Sequence, residues 1–145
     1  FDNLLGKYEL EKIKTIGDNY MLAGGVPEPS NNHAESVVEA SLEMMKIFSK
    51  IKFPIDGMNL RIGINSGPVS AGVIGKKKFI YDLWGETVNI ASRMESFGTN
   101  GKIHVSKSTY KLLSSKYRFI KNEKIDIKGL GLTQTYYIDG YSRIA

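Results

Sequence analysis

Two polar residues, Asn89 and Arg93, stand four positions apart in a segment whose apolar spacing predicts a helix over residues 86–97. Residues at this spacing share one helix face, so an amide and a guanidinium are presented together. A guanidinium carries a planar fork of donors that meets several phosphate oxygens at once, which suits it to phosphoryl chemistry. The pair also fits an ordinary polar helix face, and the spacing alone leaves both interpretations open.

Two further charged residues lie in predicted turns. Asp18 follows Gly17 at a hairpin tip, where a carboxylate points either into solvent or towards a divalent cation. Aspartate is also a common turn residue without further function. Lys128 lies in a glycine-containing turn. His33 and His104 have no companion ligands at useful spacing, so we expect a helix-cap residue and a core or surface residue rather than a metal site.

Strands and turns must position these residues. Alternating apolar residues predict a hairpin of residues 10–16 and 20–23, and a second hairpin of residues 60–65 and 69–74. The small residues of the second hairpin indicate a close approach of another backbone. Further short strands are expected around His104, Phe119, Ile125 and Tyr136.

Apolar residues at helical spacing predict the remaining elements. The predicted helices are the end of a helix at residues 1–8, a long helix at 32–51, the helix at 86–97 and a short helix at 107–113. Asn32 with Glu35 resembles a capping box, and Ser106 is the candidate N-cap of the short helix. Together with the strands, these helices predict an α+β fold.

The composition narrows the classes of function. A chain of 145 residues has the size of one domain, and it has no cysteine, which excludes disulfides, thiolate metal sites and cysteine nucleophiles. No apolar run approaches the ~18 residues that span a bilayer, so we expect a soluble chain. The net charge of +5 would suit nucleic acid, but a surplus this small is common on solvated surfaces and decides nothing alone. The basic–aromatic run at residues 76–81 also resembles a nucleic-acid surface, but a solvated loop explains it better. No P-loop or dinucleotide fingerprint is present.

Four segments, in this order, resemble the catalytic domain of class III adenylate and guanylate cyclases. They are EKIKTIGDNYM at residues 11–21, RIGINSGPV at 61–69, YDLWGETVNIASRM at 81–94 and IKGLG at 127–131. The resemblance implies an α+β domain with a ferredoxin-like core and a C-terminal α/β extension, formed by residues 1–145 as a single domain. It implies the conversion of ATP into cyclic AMP and pyrophosphate.

The resemblance also assigns roles to individual residues. Lys14 and Asp82 match the family's purine-selecting pair, since lysine can donate to adenine N1 and aspartate can accept from the N6 amino group. Guanylate cyclases tend to carry glutamate and cysteine there, so this pair favours ATP. Asn89 would position the ribose and Arg93 would stabilise charge at the α-phosphorus. Lys128 would bind the terminal phosphates, with Leu130 where many members carry a second basic residue.

Metal binding is implied for Asp18, one of two family aspartates that hold paired Mg²⁺ or Mn²⁺ ions. The other family aspartate lies on a first strand whose motif does not occur in this sequence. We therefore expect that the chain is an N-terminally truncated domain, lacking that strand and part of the following helix. The 145 residues alone are then expected to be inactive although the parent domain is active.

Partners and alternatives follow from the same resemblance. Family members work as head-to-tail dimers with composite sites, and this chain carries residues of both half-sites, so a homodimer is expected, with no nucleic-acid partner. ATP as substrate indicates a cytoplasmic catalytic domain, and an upstream regulatory or membrane domain is compatible with it. A guanylate cyclase, a non-catalytic dimerisation or ATP-sensing module and a nucleic-acid binder remain alternatives.

Overall fold

The structure is a computed structural model that describes residues 2–51, 59–78 and 80–141. The helices are α1 Asp2–Lys7, α2 His33–Lys50, α3 Glu86–Ser96 and α4 Lys107–Leu113. The strands are β1 Glu11–Ile16, β2 Asn19–Ala23, β3 Ile62–Ile64, β4 Ser70–Ile74, β5 Ile80–Trp84, β6 Ile103–Ser106, β7 Tyr117–Lys121, β8 Ile125–Ile127, β9 Gly131–Thr133 and β10 Thr135–Tyr141. The predicted α+β architecture is confirmed.

A four-stranded sheet in the order β3-β6-β10-β7 forms the centre of the molecule. Strand β3 runs parallel to β6, whereas β10 is antiparallel to both β6 and β7. All four residues of β6 are buried, as expected for an inner strand. Ile103 and Val105 of β6 pack with Ala34 and Val38 of α2 in the main hydrophobic cluster, so α2 covers one face of the sheet.

Helix α3 packs against the opposite face of the sheet. Successive residues of a strand point to opposite faces, so His104 points away from α2, and its ring contacts the Met94 carbonyl of α3. Gly63 of β3 allows α3 to approach closely, because a Cβ at this position would lie 2.0 Å from the Glu95 backbone nitrogen. The close backbone approach predicted for this segment is therefore found at Gly63.

In the described part of the chain, three antiparallel hairpins lie outside the central sheet: β1 with β2, β4 with β5, and β8 with β9. The first was predicted, and Gly17 adopts a positive φ of 59° in its turn. Strand β1 has a β-bulge between Lys12 and Lys14, in which the buried Ile13 is the extra residue that faces no residue of β2. A bulge of this kind bends the strand.

The predicted second hairpin is wrong. Residues 60–65 and 69–74 do not pair with each other, because β3 pairs in parallel with β6 and β4 pairs with β5. Alternating Ile62 and Ile64 identify a strand but not its partner, and the partner here lies about forty residues further along the chain.

The predicted helices are observed within one or two residues of their predicted ends, and Phe1 lies outside the described residues. The capping box is wrong: the Asn32 side chain makes no cap hydrogen bond and instead accepts one from Ser30 Oγ at 2.5 Å. Ser106 does cap α4, since its hydroxyl accepts a hydrogen bond from the Thr109 amide. None of the helices in the described ranges is long and apolar enough to cross a membrane.

Candidate active site

Lys14 and Asp82, which are 68 residues apart in sequence, lie together where β1 meets β5. Lys14 Nζ is 3.1 Å from Asp82 Oδ1 and 3.2 Å from Oδ2, and the side chains are 34% and 21% exposed. The Leu83 amide donates to Asp82 Oδ1 at 2.8 Å. This amide, and then the Lys14 ammonium, hold the pKa of Asp82 below its usual value, so the carboxylate stays charged at neutral pH. One donor and one acceptor are thus presented side by side.

Helix α3 carries Asn89 and Arg93 one turn apart, and both side chains are exposed. The helix begins at Gly85, whose φ of 119° lets the chain turn sharply from β5 into α3. Thr87 in the first turn donates its hydroxyl hydrogen to the Pro68 carbonyl at 2.6 Å. An amide and a guanidinium therefore project from a helix whose start is tied to the loop before β4.

Lys128 is exposed in the turn between β8 and β9, which Leu130 closes by donating its amide to the Ile127 carbonyl at 2.9 Å. Gly129 has a φ of 92°, and a Cβ added there would lie 4.0 Å from Glu86 Oε1. The turn therefore lies beside the first turn of α3, on the helix that carries Asn89 and Arg93.

Asp18 is exposed at the tip of the β1–β2 hairpin. Asp18 lies four positions after Lys14, which corresponds to roughly 13 Å of extended chain. Asp18 therefore does not join the Lys14–Asp82 pair within one chain. Among the described residues there is no group of three or more His, Asp or Glu side chains arranged to hold a metal ion.

Two residues connect the elements of this region: Asn65, which the sequence did not single out, and His104, which was expected only as a core or surface residue. Asn65, at the end of β3, donates its amide to the Thr87 carbonyl at 3.0 Å and accepts hydrogen bonds from Ser106 and Ser108 at 2.5 and 2.8 Å. His104 contacts the Met94 carbonyl at the other end of α3. The sequence does indicate a structural role for His104, because it stands between Ile103 and Val105. A polar residue inside a buried strand requires hydrogen-bond partners.

A cavity of about 550 Å³ lies between the β3–β4 loop, the start of α3 and the β8–β9 hairpin. Its walls include Asn65, Thr87, Ile90, Ser108 and Leu130. None of the six residues predicted from the sequence to form the site lines this cavity. Lys14 and Asp82 are partly buried, and the other four of these residues are exposed.

The comparisons with known proteins agree on one family. The family described as the adenylate and guanylate cyclase catalytic domain matches residues 1–140. An adenylate cyclase of Mycobacterium bovis is 40% identical over 141 residues, which are 97% of this chain and 32% of that protein. The human guanylate cyclase soluble subunit beta-2 is 42% identical over 141 residues, or 95% of this chain and 23% of that protein.

A solved structure agrees with these relatives. The catalytic core of a rhodopsin-guanylyl cyclase with converted specificity, in complex with ATPαS, superimposes with a TM-score of 0.90 at 39% identity. The match covers 96% of this chain and 76% of that one. The chain spans about a third or less of the length of the two curated relatives. With this sequence match, fold and order of motifs, the chain belongs to the family of adenylate and guanylate cyclase catalytic domains.

Proposed function

We propose that the chain is the catalytic domain of an adenylate cyclase, which converts ATP into 3′,5′-cyclic AMP and pyrophosphate. The contact between Lys14 and Asp82 carries this proposal. Adenine offers an acceptor at N1 and a donor at its N6 amino group, which complement an ammonium and a carboxylate held side by side. With Lys14 at N1 and Asp82 at the group on C6, guanine mismatches both contacts, because it offers a donor at N1 and an acceptor at O6. Each unpaired polar group costs on the order of 1–3 kcal/mol.

The reaction requires little covalent chemistry from the protein. The ribose 3′-oxygen forms a bond to the α-phosphorus, the bond from that phosphorus to the bridging oxygen of the β-phosphate breaks, and the hydroxyl proton leaves to solvent or a base. Arg93 supports this step because its fork of donors stabilises charge that grows on the phosphoryl oxygens. Asn89, on the same helix face, is proposed to hold the ribose, and Lys128 to bind the terminal phosphates.

Magnesium or manganese ions are part of the proposal, with Asp18 as a ligand. Hard cations prefer carboxylate oxygens, and the exposed Asp18 carboxylate has the required chemistry. The described residues hold no group of three ligand side chains, so a metal site needs further ligands from outside the described part of this chain. We therefore assign no step of the reaction to a metal held by these residues alone.

A homodimer is proposed as the active form, with composite sites that combine Asp18 of one copy with the other five residues of the second. The β4–β5 hairpin supports this because four of its apolar residues are 45–62% exposed: Val73, Ile74, Ile80 and Trp84. Monomeric proteins rarely leave such a patch uncovered. A two-fold dimer would repeat the same contact and produce two equivalent sites.

Guanylate cyclase is the second candidate. The human guanylate cyclase subunit is as similar to this chain as the bacterial adenylate cyclase is, so identity does not separate the two activities. The side-by-side Lys14 and Asp82 side chains support ATP as the substrate in this proposal.

The experiment is to incubate the protein encoded by the full gene with ATP and Mn²⁺ and to identify products by mass spectrometry. We expect cyclic AMP and pyrophosphate in equal amounts. The 145 residues alone serve as a parallel sample. Formation of ADP or AMP without any cyclic nucleotide would reject the proposal.

A further inference from the structure

The last turn of α3 contains a backbone carbonyl that the helix does not satisfy. Helix ends leave their final carbonyls without intrahelical donors. Phe97 donates its amide to Arg93 at 2.9 Å, but Gly98 donates to Glu95 at 3.1 Å and thereby passes over Met94. The Met94 carbonyl receives its hydrogen bond from the side chain of His104, with Nδ1 at 2.8 Å.

The hydrogen bonds of His104 define which ring nitrogen carries the proton. A carbonyl oxygen only accepts, so Nδ1 is the protonated nitrogen and donates to Met94. Nε2 is then an acceptor, and Thr135 donates its hydroxyl hydrogen to it at 2.7 Å. The His104 and Thr135 side chains are both fully buried, and Tyr137 stacks on the imidazole at a centroid distance of 4.8 Å. The ring therefore has one orientation and one tautomer.

The same helix is held at its other end. Asn65, which directly follows β3, donates to the Thr87 carbonyl, and His104 of β6 donates to the Met94 carbonyl, so side chains hold carbonyls in the first and last turns of α3. Asn89 and Arg93 lie between these two carbonyls, and Arg93 directly precedes Met94. Arg93 is part of this helix, so a shift or rotation of α3 moves its guanidinium as well.

We infer that His104 is a positioning residue of the cyclase reaction: by donating to the Met94 carbonyl it fixes the turn of α3 that presents Arg93. The inference rests on the proposed role of Arg93 in that reaction. Misplacing a catalytic group by about 1 Å costs on the order of 10²-fold in rate, so a buried side chain that never touches the substrate can control turnover. Burial lowers the pKa of His104 from its ordinary value, although the bond to Met94 opposes this, so the neutral donor form is the one present at neutral pH.

Two conservative substitutions separate this role from simple packing. In His104→Asn the side-chain amide nitrogen takes the place of Nδ1, so the donor to Met94 remains and the contact with Thr135 is lost. In His104→Gln the amide reaches the place of Nε2, so the contact with Thr135 remains and the donor to Met94 is lost. Both variants lose the stacking on Tyr137, so a packing role predicts similar effects for both.

Hydrogen–deuterium exchange of the 145-residue chain gives a readout that is independent of activity. We expect amides in the last turn of α3, residues 93–97, to exchange on the order of tenfold faster in His104→Gln than in His104→Asn, because only the former frees the Met94 carbonyl. Equal exchange in the two variants would overturn the inference. If both variants fail to fold, the near-isosteric Thr135→Val and the hydroxyl-retaining Thr135→Ser replace them. Faster exchange in Thr135→Val alone is then the expected result, and equal exchange would overturn it.

Turnover of the full protein gives the second readout. We expect His104→Gln to lower kcat on the order of tenfold or more with little change in KM for ATP, and His104→Asn to restore most of the wild-type kcat. Suppose that the wild-type protein is active and that Arg93→Ala inactivates it. Equal losses of kcat in His104→Gln and His104→Asn would then overturn the positioning role of His104 and leave the proposed function intact. If the wild-type protein forms no cyclic nucleotide, the proposed function fails, and the exchange experiment still decides whether His104 fixes α3.

Discussion

Lys14 Nζ lies 3.1 Å from Asp82 Oδ1, and this contact joins the β1–β2 hairpin to the β4–β5 hairpin. Neither hairpin belongs to the central sheet, so the pair connects two peripheral elements. A nucleotide base that bonds to both side chains would exchange their mutual contact for contacts with its own edge. Selectivity would then depend on whether the base offers an acceptor to Lys14 and a donor to Asp82.

Replacing the pair should therefore change the purine preference. We expect Lys14→Glu combined with Asp82→Cys to lower the ratio of ATP to GTP in kcat/KM by on the order of tenfold or more, since mismatched polar groups cost roughly 1–3 kcal/mol each. Lys12→Glu is the matched control, because Lys12 lies on the same strand but contacts the Tyr20 ring instead of Asp82. An unchanged ratio in the double variant would remove the selectivity claim.

Removing Arg93 should slow the chemical step more than it weakens binding. We expect Arg93→Ala to lower kcat on the order of 10²- to 10³-fold while KM for ATP changes little, as for other groups that stabilise charge in the transition state. Arg118→Ala is the control, since Arg118 on the edge strand β7 pairs with Asp139 on the neighbouring strand β10. A variant with normal kcat and a raised KM would make Arg93 a ground-state binder instead.

Asp18→Asn should affect the metal requirement and leave the fold intact. The side chain is exposed at a hairpin tip, so the melting temperature should stay within about 2 °C of the wild type, as for most surface substitutions. We expect the Mn²⁺ concentration for half-maximal activity to rise, because an amide oxygen is a weaker ligand than a carboxylate. Titrating Mn²⁺ in activity assays measures this. The same half-maximal concentration in both proteins would exclude Asp18 as a ligand.

Gly63→Ala should destabilise the whole chain, because its Cβ would meet the backbone of α3 at 2.0 Å. Forced overpacking of this kind costs about 1–3 kcal/mol or more, which urea unfolding can resolve. Gly6→Ala in α1 is the control, since a Cβ at Gly6 meets nothing within 4 Å and alanine favours a helix. Equal stabilities of the two variants would mean that α3 does not pack on β3 as described.

Local signals predicted the elements that depend on neighbouring residues. The β1–β2 hairpin follows from alternation around Gly17, and the start of α4 follows from the Ser106 cap. The pairing of β3 with β6 was not predictable in this way, because a parallel partner is distant in sequence and alternation does not identify it.

In the candidate site, too, local patterns predicted some relationships between residues, and tertiary structure determined the others. Spacing alone placed Asn89 and Arg93 on one helix face, whereas Lys14 and Asp82 were associated through resemblance to a family and not through any local pattern. The contacts of Asn65 and His104 with α3 depend on tertiary structure, so the sequence contained no direct signal for them beyond a polar residue in a buried strand.

The most direct test of the account is the substrate preference of the wild-type protein. Initial rates with ATP and with GTP, each with Mn²⁺ and with the cyclic product identified by mass, give two values of kcat/KM for the protein encoded by the full gene. We predict that the value for ATP exceeds that for GTP by on the order of tenfold or more, in line with two mismatched contacts to guanine. A value for GTP equal to or above that for ATP would contradict the assignment of the Lys14–Asp82 pair as the adenine-selecting element.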